Sequence, residues 1–254
     1  MILIKLGGAA LKNCLGSTEL FEILSQCKEP CMIVHGGGPE INALSQKLGI
    51  EAKFFEGQRI TDSAHVEVVE MVLSGKVNSA LVRAAIKCRI KAVGVKGCDD
   101  GLFLCTPEKS ELGAVGAPTK LRTDFVKLLL DNQFFPIVSP VGFFADYSPC
   151  NVNADLAASS LASELHVDRL IFLTDRDGIL DAQGETMTQL SRNHLESMLQ
   201  NSSTISGGMK VKARAILETL AKIPNCDVSV MNGTNWEMLK ESLLGGKKHG
   251  TRIE

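Results

Sequence analysis

Short apolar runs alternate with amphipathic stretches almost without interruption along this chain, and no other feature limits its fold as strongly. Met1–Leu6, Cys31–Val34, Lys91–Val95, Phe135–Val138, Arg169–Leu173 and Asp227–Met231 read as short buried strands rich in Val, Ile and Leu. Between them lie helical patterns at Thr18–Cys27, Pro39–Leu48, Ser63–Ile86, Asp124–Asn132, Asp155–Leu165, Arg192–Leu199, Met209–Ile223 and Trp236–Leu244. Such alternation implies an α/β fold, a mostly parallel central sheet with helices on both faces as a three-layer αβα sandwich. Ala52–Ile60 and Gly101–Lys120 break the pattern and read as hairpins. A soft boundary near Val167 divides one domain, 1–254, into two lobes, 1–167 and 168–254.

The balance of residues narrows the function. A formal charge of −2 excludes a nucleic-acid or anionic-membrane surface, since those need basic excess. Aromatic residues make up 5%, too few for base-stacking platforms. No apolar run has the length of a membrane span, and the start lacks the layout of a signal peptide. The eight cysteines are scattered without a C-x-x-C pair, which reads as buried free thiols in a reducing cytoplasm. No clustered Cys/His set marks a metal site.

In parallel sheets, ligands bind beyond the carboxyl ends of the strands, and the chemically suggestive residues fall at such positions. Lys5, Gly7 and Gly8 close the first apolar run. A cation beside bare amides suits a phosphate; an edge lysine before an ordinary turn is the plainer alternative. Gly36, Gly37 and Gly38 precede Pro39, a favoured first helical residue, so amides and helix dipole make an anion site. His35 beside them reads as a hydrogen-bonded scaffold rather than an acid or base. Arg59 offers a planar fork for a carboxylate, or is a solvated surface side chain; Thr61 or Asp62 caps the helix that follows.

Asn151-Val-Asn-Ala-Asp155 precedes a helix of small residues, with Asn153 suited to its N-cap and Asp155 free to orient nearby cations. Thr174-Asp-Arg-Asp-Gly-Ile-Leu180 reads by itself as a turn. Gly207 and Gly208 open a helix carrying Lys210 and Lys212 in its first turns, where cations oppose the helix dipole. One or both lysines therefore answer to an anion outside the helix. There is no Walker loop, no G-x-G-x-x-G and no Ser/His or Cys/His nucleophile pairing. Lysines, an orienting aspartate and glycine nests suit phosphoryl transfer, in which catalysis is mostly positioning and charge stabilisation.

The order Lys5-Leu-Gly-Gly8, His35-Gly-Gly-Gly38, Gly57-Gln-Arg-Ile-Thr61, Asn151-Val-Asn-Ala-Asp155, Thr174-Asp-x-x-Gly-Ile-Leu-Asp181, Gly207-Gly-Met-x-x-Lys212 and Gly250-Thr-Arg-Ile253 closely resembles the acetylglutamate kinases of the amino acid kinase superfamily. The resemblance implies the amino acid kinase fold and ATP-dependent phosphorylation of the side-chain carboxylate of N-acetyl-L-glutamate, the second step of arginine biosynthesis, in the cytoplasm. It implies that Lys5 and Lys212 stabilise the phosphoryl group in flight, that Asp155 holds both lysines and that Gly8 adds an amide. Gly37, Gly38, Arg59, Asn151 and Asn153 would bind acetylglutamate, with Arg59 on its α-carboxylate. Gly7, Asp175, Arg176, Asp177, Gly178, Ile179, Leu180, Thr204, Ile205, Ser206, Gly207 and Gly208 would bound the nucleotide.

Few carboxylates accompany these motifs, so Mg2+ is expected to be carried by ATP. Lys210 stands where the pattern leads one to expect an apolar residue, so the role of Lys212 rests on the register of the Gly-Gly-Met-x-x-Lys run. Asp177 is acidic where a small polar residue is usual. Arginine-inhibited members carry an extra N-terminal helix that joins dimers into hexamers; a chain starting at its first strand is expected to be an arginine-insensitive homodimer. The Ser63–Ile86 helix, with apolar Val66, Val69, Val72, Leu73, Val77 and Leu81 wider than one stripe, is the expected interface. Alternatives are a kinase for an aminoadipate derivative, glutamate, carbamate or aspartate, and a non-catalytic regulator that binds nucleotide or amino acid.

Overall fold

The structure, a computed structural model, describes residues 1–201, 205 and 207–254. The chain opens with strand β1 (Ile2–Leu6), helices α1 (Gly8–Gly16) and α2 (Glu19–Leu24), β2 (Cys31–His35) and α3 (Gly38–Lys47). A small antiparallel hairpin, β3 (Phe54–Phe55) and β4 (Gln58–Arg59), leads into α4 (Ser63–Glu70), a π-helical stretch over Met71–Val77 and α5 (Asn78–Lys87). Then come β5 (Ala92–Lys96), β6 (Phe103–Pro107), β7 (Val115–Leu121), α6 (Asp124–Asp131), β8 (Phe135–Ser139), β9 (Val141–Phe143) and β10 (Pro149–Val152). The remainder is α7 (Ala154–Leu165), β11 (Arg169–Thr174), β12 (Gln189–Leu190), α8 (Arg192–Gln200), α9 (Gly207–Lys222), β13 (Asp227–Asn232), α10 (Trp236–Leu244) and β14 (Thr251–Ile253).

Among the described residues, eight strands form one sheet in the order β12-β14-β13-β11-β1-β2-β8-β5. From β13 to β5 every pairing is parallel, and β14 runs antiparallel to β13. β1 lies at the centre, hydrogen-bonded to β11 on one side and β2 on the other, so the sheet crosses Val167 unbroken. Alternation along a strand sends neighbouring side chains to opposite faces. Leu3 accordingly joins a core with Phe172, Leu156, Leu161 and Ile216 under α7 and α9. Ile2, Ile4 and Leu6 join the other, with Phe21, Ile41, Leu73 and Leu81. Two cores on the two faces of one sheet make the three-layer αβα sandwich.

Three departures from expectation have physical causes. Gly8–Gly16 is a helix although it opens on Gly8 behind a Gly7 N-cap, because Ala10, Leu11 and Cys14 are buried in the core. The Gly101–Lys120 stretch does form the antiparallel β6–β7 hairpin, but β9 and β10 close it into a small barrel, which only long-range pairing could reveal. The six apolar residues of the 63–87 helical segment are all buried in the chain's own core, so packing inside one chain already accounts for the width of that stripe.

Candidate active site

Local chemistry places each side chain at the carboxyl ends of the strands. Lys5 is the penultimate residue of β1 and faces the same side as Leu3, beneath α7 and α9. Gly7 keeps that space open, since a Cβ there would lie 2.6 Å from Lys5 Nζ. Asn153 caps α7, its side-chain oxygen accepting from the Asp155 amide at 2.8 Å and from the Leu156 amide at 3.4 Å. The cap fixes Asp155 in the first helical turn, pointing back at the end of β1. Small residues let α7 and α9 approach closely, and Ser159 Oγ donates to the Ala215 carbonyl at 2.8 Å.

That approach brings Lys212 to the same point. Asp155 Oδ1 receives Lys5 Nζ and Lys212 Nζ, both at 2.9 Å. Lys212 Nζ also stands 4.8 Å from the centre of the Phe172 ring, within cation–π range. Burial alone would raise the Asp155 carboxyl, but Lys212 and Lys5 outweigh it and hold the group at about 2. Burial pulls the Lys212 ammonium down to about 8 against the attraction of Asp155, and the like charge of Lys5 adds to the fall. One carboxylate between two ammoniums leaves an excess positive charge in a water-poor place, a ready partner for a transferring anion.

Two cavities meet at this triad. The larger, about 540 Å³, is walled by Thr174, Asp175, Arg176, Gly178, Ile179, Leu180, Ile205, Gly208 and Met209, with Lys5, Asp155 and Lys212 at its inner end. The smaller, about 180 Å³, is walled by Gly36, Gly37, Gly38, Arg59, Asn151, Asn153 and neighbours, and shares Lys5 and Asp155. Arg59 is buried; its Nη2 donates to Asn42 Oδ1, while Nη1 has no partner among the described residues. The Gln58 side-chain oxygen beside it is likewise buried without a partner. Asn151 donates to Thr61 Oγ1 at 3.1 Å, joining the barrel to the start of α4.

A sequence profile of the amino acid kinase family matches residues 1–232. The chain belongs to the amino acid kinase family. It is 40% identical over 227 residues to an acetylglutamate kinase of Ruegeria pomeroyi, an alignment covering 87% of this chain and 77% of that protein. A structure of smu.665 from Streptococcus mutans superposes with a TM-score of 0.82 at 24% identity, covering 99% of this chain and 97% of that one. A carbamate kinase from Giardia lamblia bound to AMP-PNP gives 0.73 at 18% identity, covering 99% and 97%. Both structures share the fold.

Within this family member the expected site residues do not all line the cavities. Gly7 is the N-cap of α1 and Gly8, at φ +55°, its first residue; neither forms a cavity wall. Asp177 is not in the cavity wall and accepts from Asn232 Nδ2 at 2.8 Å. Gly207 instead touches the β3–β4 turn: a Cβ on Gly57 (φ +82°) would lie 2.4 Å from the Gly207 carbonyl carbon. Thr204 and Ser206 fall outside the described residues. His35 is buried and neutral, desolvation pushing it down to about 4; its Nδ1 bonds the Gly36 carbonyl and its Nε2 the Asn78 amide. Asp62, not Thr61, caps α4.

Gln58, Thr174 and Met209 wall the cavities without having been singled out, although all three lie inside motif runs. Asn42 supports Arg59 from α3, one helical turn after Gly38; its four-residue spacing from the glycine run was the available signal.

Proposed function

We propose that the chain transfers the γ-phosphoryl group of ATP to the side-chain carboxylate of N-acetyl-L-glutamate, giving N-acetyl-L-glutamyl 5-phosphate, the second step of arginine biosynthesis. The observation that carries this reading is the pair of cavities, about 540 and 180 Å³, which share Lys5 and Asp155. The larger takes the nucleotide between the Thr174–Leu180 turn and the start of α9. The smaller takes the acid, with its α-carboxylate on the open Arg59 Nη1 and its polar groups near Asn151 and the Gly37–Gly38 amides. Relatives named acetylglutamate kinase, about 40% identical, support the choice of that acid.

A side-chain carboxylate is already ionised at neutral pH and needs no general base. What opposes reaction is the repulsion between two anions. Lys5 and Lys212 stand where attacking and leaving oxygens meet, and Asp155 keeps both in place between turnovers. Capping by Asn153 serves this arrangement by setting the direction of Asp155. Asp155 is occupied by two lysines and Asp175 is the other carboxylate in the nucleotide wall, a donor set that suits Mg2+ carried on the ATP phosphates. That ion, when bound, neutralises charge on the β- and γ-phosphates.

The division of labour follows the two lobes, 1–167 for the acid and 168–254 for the nucleotide. The protein acts as a homodimer in the cytoplasm. Acyl phosphate trapped as hydroxamate, with Mg-ATP and N-acetylglutamate, glutamate, aminoadipate, aspartate or carbamate, tests the reading. Strong preference for N-acetylglutamate supports it; turnover of a different acid moves the substrate, and none at all overturns catalysis.

A further inference from the structure

At the opposite end of the sheet from Lys5, a cavity of about 590 Å³ brings together Cys27, Cys31 and Cys88 with Lys28, Arg89 and Lys91. Nothing in phosphoryl transfer uses it. Cys31 starts β2 and Cys27 sits in the turn before it, with the Cys27 amide held by the Leu24 carbonyl at 3.1 Å. The Cys31 sulfur lies 3.2 Å from the Glu29 carbonyl oxygen and beside the Cys27 sulfur, and its single proton is shared between these two acceptors. That contact draws the Cys27 thiol below its ordinary value against burial and Glu29, with Arg169 assisting. Burial and the same contact push Cys31 up. Cys27 is half-buried and so open to a small reagent.

A second thiol pair gives the contrast. Cys105 and Cys150 also contact one another, but both are buried inside the β6–β7–β9–β10 barrel under Gly116 and Gly142, and Cys150 is pushed up by that contact and by burial. Contact between sulfurs is common to both pairs; an accessible member, Cys27, and a cavity wall where Lys28, Arg89 and Lys91 outnumber Glu29 belong only to the first. Thiolate character and exposure together decide which cysteine reacts.

We propose that Cys27 and Cys31 form an oxidisable dithiol site that reduces a small hydroperoxide and closes into an intramolecular disulfide. The Cys27 thiolate attacks the peroxide: an S–O bond forms, the O–O bond breaks, and the departing hydroxide takes a proton to become water. Cys31, giving up its proton, then attacks the Cys27 sulfur; the S–S bond forms, the S–O bond breaks and a second water leaves. Two thiols and one hydrogen peroxide become one disulfide and two waters, the sulfurs losing two electrons. Cys31 is three residues before Val34, the partner of Lys5 in the sheet, or about 10 Å along the strand. The disulfide therefore forms without entering either substrate cavity.

The test treats the folded protein with hydrogen peroxide and counts thiols after denaturation. The count should fall from eight to six. Trypsin cuts after Lys28, between the two cysteines, so the product appears as two joined peptides, with fragment ions separating Cys27 from Cys14. Cys31→Ser should stop at a sulfenic acid on Cys27 that dimedone captures, and Cys27→Ser should keep its remaining seven thiols at the same exposure. A wild-type count that stays at eight, or a linkage mapping to Cys105–Cys150 or to Cys88, would overturn the proposal.

Discussion

Lys5 at the end of β1 and Lys212 in α9 place their ammonium groups on one oxygen, Oδ1 of Asp155, each at 2.9 Å. Two cations share a single buried anion, and the surplus charge faces the junction of two cavities.

Lys212 and Lys210 are two residues apart on a helix, so they point to nearly opposite sides. Lys210 lies within charge range of Glu56 on the β3–β4 turn instead. Lys212→Ala is expected to lower kcat by about 10²–10³, the usual loss for one donor to a developing charge. Lys210→Ala should retain kcat within a few-fold. Equal losses in the hydroxamate assay would show that the register is wrong.

The triad should trade stability for function. Lys212→Met leaves the balanced pair Lys5–Asp155, and its Tm at pH 7 is expected to equal or exceed that of the parent, with activity lost. Asp155→Asn strands two buried ammoniums without a counter-ion and should cost about 3 kcal/mol. Thermal melts that fall equally for both variants would refute the charge imbalance.

The pH dependence has a defined sign. Lys212 titrates at about 8 rather than 10.5 in the free protein, so kcat/KM for ATP should decline above about pH 8. Bound phosphates restore the ammonium, so kcat should break at higher pH; coincident breaks would count against this. For stability, the unfolded chain binds more protons than the folded one between pH 8 and 10.5, so Lys212 makes stability rise with pH there. Asp155, at about 2 against 3.8, contributes stability above pH 3.8 that is lost as pH falls toward 2.

Arg59, in the wall of the smaller cavity, holds one guanidinium nitrogen on Asn42 and leaves the other buried without a partner among the described residues. Arg59→Ala should raise KM for the acid on the order of 100-fold, as expected for a lost charge-assisted pair, with KM for ATP little changed. Steady-state titration of each substrate separates the two, and a loss confined to ATP would place Arg59 elsewhere.

Gly57 and Gly207 touch backbone to backbone, linking the hairpin over the smaller cavity to the helix beside the larger. Gly57→Ala needs both an unfavourable positive φ and room that Gly207 occupies. It should lower kcat/KM for both substrates; an effect on one alone would argue against a shared seam.

The strands, most helices and the glycine junctions were legible because hydrophobic period and capping are local. β1, β11 and β13 appear within a residue or two of their apolar runs, and Asn153 caps the helix its chemistry suits. Helix α1 was not, since Gly8 at its start disfavours a helix and burial of its apolar face supports it. The barrel escaped notice because β6 and β7 pair with β9 and β10 across a helix and a sheet strand. The motif offers Asp177 as a nucleotide contact, and its bond from Asn232 at the end of β13 was not legible because the two are far apart in sequence.

Residue order alone determined which elements form, where glycine frees the backbone and which side chains carry charge, because those depend on neighbours a few positions away. Only the folded arrangement decided that Lys212 rather than Lys210 reaches Asp155, and that Arg59 keeps one nitrogen unpaired. It also decided that one cysteine pair has a half-buried member, Cys27, while both members of the other are sealed. Each of those outcomes hangs on strand order and helix packing between residues distant in sequence, where burial and desolvation set the chemistry and no local period records it.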